Sequence, residues 1–96
     1  MATLALTGPV SLDSFADHRQ QGEAAIAAAA GGTLTVDLGE LASTSSLVVA
    51  LLAAWYRAAE DAGCAVHFAN LSADLRLIVE FSGLAGVLPI DGAAKR

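Results

Sequence analysis

Two short segments of this chain alternate apolar and polar positions with the period of a half-buried strand: Thr3-Leu4-Ala5-Leu6-Thr7 and Thr33-Leu34-Thr35-Val36-Asp37-Leu38. Gly8-Pro9 breaks the first, and Asp37 closes the second. Between them the pattern changes to a helical one, capped at Ser11 or Asp13 and running towards Ala30. Its apolar stripe is Leu12, Phe15, Gly22 and Ile26, and Gly31-Gly32 stops it. Gly22 lowers helix propensity, and a close approach to a sheet would explain its place on that stripe.

Further on, Ser43-Thr44-Ser45-Ser46 stands directly against the apolar run 47–56. Four hydroxyls at that junction predict an N-cap and a helix over about Ser46 to Ala62, with Gly63 just past its end. Cys64-Ala65-Val66-His67-Phe68-Ala69 is short and largely apolar, which predicts a third, central strand. Asn70 turns the chain, and Ser72 caps a third helix with the stripe Leu71, Leu75, Ile78 and Val79. Gly83 ends that helix; residues 84–90 form a last turn or short strand, and residues 91–96 a flexible tail. Strands alternating with helices predict one α/β domain over residues 1–90, with helices laid on a sheet.

The central helix has two unlike faces. At 100° per residue, Val48, Leu51, Leu52, Trp55, Ala58, Ala59 and Ala62 share the core side. The opposite side carries Arg57, Glu60 and Asp61 in its second half. Its first half, Val49, Ala50, Ala53 and Ala54, has no charge and adjoins the hydroxyls. Alanine is a good helix former and needs no partner, so one reading is plain solvated surface. The other is a docking face with the hydroxyls at its rim.

Composition bears on that choice. The 96 residues are 55% hydrophobic and only 16% charged, though much of the apolar share is alanine. So little surface charge points to a covered patch. The net charge of −5 argues against nucleic acid and against an anionic membrane surface. No apolar run approaches the roughly 20 residues that span a bilayer. The start of the chain has no basic and apolar leader pattern, so a cytoplasmic, soluble protein is expected. Cys64 is the single cysteine and has no disulfide partner.

Candidate chemistry is sparse. His18 falls on a polar part of the first helix, where solvation accounts for it, and His67 faces away from Val66 and Phe68. His18, His67 and Cys64 lack metal-ligand spacing, and no phosphate-binding glycine loop is present. No catalytic residue, cofactor or metal is therefore expected. Trp55 reads as a core filler, with an interface anchor as its alternative. Leu77 and Phe81 lie opposite the third helix's buried stripe, either under the C-terminal segment or as a second contact patch. Asp37 either orders the hydroxyl loop by accepting its N–H groups or only ends its strand.

Several segments taken together resemble the STAS domain of anti-sigma-factor antagonists and related modules. They are Val36-Asp37-Leu38, Ser45-Ser46, the helix from Leu47 to Gly63, Val66-His67-Phe68, and Leu71-Ser72-Ala73-Asp74-Leu75 through Phe81-Ser82-Gly83-Leu84. The resemblance spans nearly the whole chain and implies a small mixed sheet of about four strands with three to four helices. In its register Ser45 takes the place of the family's loop Asp and Ser46 that of the first Ser/Thr, and no Gly follows. Within the family the chain looks most like the MlaB group, small subunits of phospholipid-transport ABC complexes. That implies a non-catalytic subunit held at the inner face of the cytoplasmic membrane through its complex. It would bind the ATPase subunit through Thr44, Ser45, Ser46, Val49, Ala50 and Ala53. The alternative that the family implies is an anti-sigma-factor antagonist switched by phosphorylation of Ser45 or Ser46, its partner a kinase-type anti-sigma factor. The missing loop Asp and Gly count against that alternative.

Overall fold

Six elements follow one another in a computed structural model that describes residues 2–41, 45–84 and 86–90. They are β1 (Ala2–Ala5), α1 (Phe15–Ala28), β2 (Thr33–Asp37), α2 (Ser46–Ala62), β3 (Ala65–Ala69) and α3 (Ala73–Phe81). The sheet has the order β1-β2-β3, and both pairings are parallel. Parallel neighbours need a crossover, which α1 and α2 supply in turn. The domain is thus α/β as expected, with three strands in place of about four and a wholly parallel sheet in place of a mixed one. A single parallel bridge, Phe68 to Ile90, continues the sheet beyond β3, held by Phe68 N–H donating to the Pro89 carbonyl at 2.9 Å. That bridge is what residues 84–90 contribute to the sheet. The expected tail, 91–96, lies outside the described residues.

Register sorts the sheet into two faces. Leu34 pairs with Val66 and Val36 with Phe68, and all four are buried beneath the helices. The row Thr3, Thr35 and His67 lies on the other face, where Thr3 is exposed and the other two are half-buried. The core is one cluster, with Val48, Leu51, Leu52, Trp55 and Ala59 of α2 at its centre and Leu75 and Val79 of α3 beside them. Gly63 stops α2 in the left-handed region at φ 70°, where a residue without Cβ is unstrained.

The first helix departs from its predicted stripe. It starts at Phe15, after a turn in which Ser11 and Ser14 exchange backbone N–H to Oγ bonds at 3.0 and 3.3 Å. Leu12 belongs to that turn and is exposed. Only Gly22 and Ile26 of α1 are fully buried. Gly22 faces the indole of Trp55, not the sheet, and a Cβ there would overlap the Nε1 edge of the ring. Trp55 also donates its Nε1–H to the Arg19 carbonyl at 3.1 Å, one turn earlier on α1. A buried indole N–H is therefore satisfied by the same helix its ring packs on. Leu77 and Phe81 are exposed, so the described part of the C-terminal segment, 84 and 86–90, does not cover them.

Replacing a helical glycine by alanine ordinarily favours the helix by roughly 0.5–1 kcal/mol. Gly22→Ala is expected to do the opposite, with a net loss of about 1–3 kcal/mol as the indole is displaced. Urea unfolding followed by Trp55 fluorescence measures this. A stabilised variant would show that the two helices do not meet at this point.

Candidate docking site at the start of helix α2

The carboxyl ends of parallel strands and the amino end of the following helix come to the same edge of an α/β layer, a recurrent position for recognition. Here that edge is built from Asp37 at the end of β2, Asn70 just past β3, and Ser45 and Ser46 at the start of α2. Asp37 pairs in register with Ala69, which brings the turn after β3 beside it. Asp37 Oδ1 accepts from the Asn70 side-chain N–H and from the Gly39 backbone N–H, each at 2.9 Å. Asn70 makes the turn at φ 64°, a left-handed conformation that asparagine tolerates. Asp37 therefore orders the first residues of the loop that leaves β2. Among the described residues no hydrogen bond joins it to Ser45 or Ser46.

The Asn70 bond, and after it the Gly39 bond, hold the Asp37 carboxyl below the ordinary carboxylate range; the small effect of burial runs the other way.

The hydroxyls divide in role. Ser45 is the N-cap residue, extended at φ −159° and ψ 168°, with its carbonyl accepting from Val48 N–H at 3.1 Å. Its side chain makes no cap bond, and Oγ is buried without a partner among the described residues. By contrast Ser72 caps α3 with its side chain, accepting from Leu75 N–H at 3.1 Å. Ser46 is the first residue of α2 and is exposed. Thr44 and its neighbours Ala42 and Ser43 lie outside the described residues.

From Ser46 the outer face of α2 continues through exposed Ala50 and half-exposed Ala53 and Ala54. Val49 does not belong to it: it is 3% exposed and part of the core. It sits about 60° round the helix from the line of Ser46, Ala50 and Arg57, and a branched side chain there reaches the neighbouring core. The uncharged half-face is accordingly narrower than its sequence suggests and made of alanine. Trp55 is 1% exposed and serves the core, not the surface.

The remaining polar candidates lie elsewhere. His18 is half-buried, its Nε2 3.3 Å from the Pro9 carbonyl. Cys64 is a buried free thiol. Among the described residues no group of His, Cys, Asp or Glu could hold a metal, and no helix is long and apolar enough to cross a membrane.

Parallel strands whose ends meet a helix opened by hydroxyls define the layout of a STAS domain. The same fold occurs in the solved structure of the anti-sigma factor antagonist SpoIIAA in its unphosphorylated form. The two superpose with a TM-score of 0.70 over 92% of this chain and 76% of that one, at 23% identity. The family model described as MlaB, STAS domain, matches residues 1–89, and the chain belongs to that family. No curated protein matches it.

A carboxyl whose folded value is lowered adds stability that is fully present above its unfolded value and lost as pH falls through the folded one. The protein is thus expected to lose stability below about pH 4. Asn70→Ala should lose less over that interval, because its Asp37 carboxyl returns towards the unfolded value. Urea midpoints taken at several acidic pH values report the difference. Equal slopes for the two proteins would show that Asn70 does not hold Asp37.

Proposed function

We propose that this chain is a non-catalytic subunit that docks on the ATPase of an ABC-type phospholipid transporter. The observation that carries the reading is the uncharged strip Ser46, Ala50, Ala53 and Ala54, open on a helix whose other side is wholly core. Membership of the MlaB family supports the choice of partner. Small side chains let a partner's surface approach the α2 backbone closely. Ser45 and Ser46 lie at the amino end, where the helix dipole favours a carbonyl or carboxylate of the partner. With no charge on the strip, docking there strips no ion of its water. Thr44 is assigned to the same rim from sequence alone.

A second reading draws on the likeness to an anti-sigma factor antagonist. Ser46 is exposed at the first position of α2, within reach of a kinase. A phosphate there, of charge about −1.5 to −2, would be stabilised by the helix end and would alter the rim's affinity for an acidic partner. Ser45, with its oxygen buried, is the poorer acceptor of the two.

Ser46→Glu and Ala50→Arg both change exposed positions and should leave the fold intact by circular dichroism. Each is expected to weaken co-purification with the ATPase subunit of such a transporter by more than tenfold, about 1.4 kcal/mol. Normal binding by both variants would overturn the assignment of the surface. Phosphoserine at residue 46 after incubation with a kinase-type anti-sigma factor would decide for the second reading.

A further inference from the structure

Strand β1 is an edge of the sheet, and among the described residues nothing pairs with its outer side. Its pairing with β2 runs on past Ala5: Leu6 N–H donates to the Asp37 carbonyl at 3.0 Å, and Gly8 bridges Leu41. Along a strand the N–H and C=O of one residue point to one side and those of the next to the other. Since Leu6 faces β2, so do Leu4 and Ala2, and the backbone groups of Thr3, Ala5 and Thr7 face outwards. All three of these residues are exposed. Folded sheets shield such an edge with charge, proline or a covering element. The far edge of this sheet is shielded, with Pro89 and the Phe68–Ile90 bridge beside β3. Residues 2–8 have no such device, for they hold no charged residue and no proline.

We infer that this edge pairs with β1 of a second copy of the chain, antiparallel about a two-fold axis at Ala5, so that two sheets become one. The sequence of the edge itself points to that occupant: Thr3-Leu4-Ala5-Leu6-Thr7 reads the same in both directions. A two-fold axis demands a surface that complements itself, and antiparallel pairing lays a palindrome on its own copy. Ala5 then meets Ala5, Thr3 meets Thr7, and Leu4 meets Leu6. Leu4 pairs in register with Val36, so the leucines lie on the helix side of the sheet. The threonines lie on the open side, where Thr–Thr pairs across strands are favourable. The opposed pairs Thr3–Thr7, Ala5–Ala5 and Thr7–Thr3 each exchange two N–H to C=O bonds, about six in all. Such main-chain bonds, more than buried area, give an added strand its affinity. Pro9, the next position of the outward set, has no N–H and closes the ladder. With residues 2–8 uncharged, the pairing brings no like charges together. This edge is separate from the Ser46–Ala50 strip, and the inference does not rest on the proposed function.

Sedimentation equilibrium of the full chain over about a hundredfold range of concentration tests the pairing. The wild type should rise from monomer towards dimer. Ala5→Pro removes an outward N–H and leaves the β1–β2 bonds in place, so it should fold and remain monomeric. Ala5→Lys and Ala5→Glu each set like charges face to face across the axis, and each alone should associate more weakly by roughly tenfold. Mixed in equal amounts, these two variants should form a dimer with one chain of each, because the axis sets the introduced charges against each other. A wild type that stays monomeric throughout overturns the inference and leaves the edge to a strand of a different protein. An Ala5→Pro chain that is folded by circular dichroism and still dimerises overturns it as well. So does a mixture of the two charged variants that associates no better than either alone.

Discussion

The arrangement of this domain depends on one contact: the indole of Trp55 lying on the backbone of α1 at Gly22. The rest of what holds helix α1 is Ile26, its only fully buried side chain, with Phe15 and Ala25 packed partly buried against the core. A bare backbone lets the Nε1 edge of the largest side chain of α2 come close against α1, and the Arg19 carbonyl takes its N–H. Packing and hydrogen bonding thus fix the same pair of helices at adjacent turns. Truncating a tryptophan so placed costs about 3–5 kcal/mol in comparable cores, a large share of what a small domain has. With α2 fixed by Trp55 in its middle, its amino end and the line from Ser46 to Ala50 are fixed as well. The surface assigned to docking is held by a contact well removed from it.

Most of this architecture was legible in the sequence. Alternation marked β1 and β2, and Gly63 and Gly83 marked the ends of α2 and α3. The core face of α2 followed from helical phasing, because Val48, Leu51, Leu52, Trp55 and Ala59 recur at the spacing of one side. Such signals are local and survive being read one segment at a time. Membership of the STAS family was legible too, through the order of segments more than through any one motif.

What escaped was set by contacts between segments. Gly22 announced a close approach, but only the fold says that an indole, not a strand, makes it. Val49 looked like surface because angular position ignores how far a branched side chain reaches. Asp37 and Asn70 are joined by the register of two parallel strands, and register leaves no mark on spacing along the chain. The capping role of the hydroxyl cluster was half legible. Ser45 holds the cap position by its backbone, while its side chain makes no cap bond. Site residues are harder to read than core residues here because alanine and serine carry so little signal of their own.

The strand order has a further consequence. Each strand pairs with the one before it in the chain, so β1, β2 and β3 add to the sheet in the order of synthesis. β1 waits only for β2, the next strand in the chain, and β3 finds its neighbour already made. The Phe68–Ile90 bridge then closes the outer edge of β3 with the last described residue. In this molecule the direction of translation and the direction of sheet growth are the same.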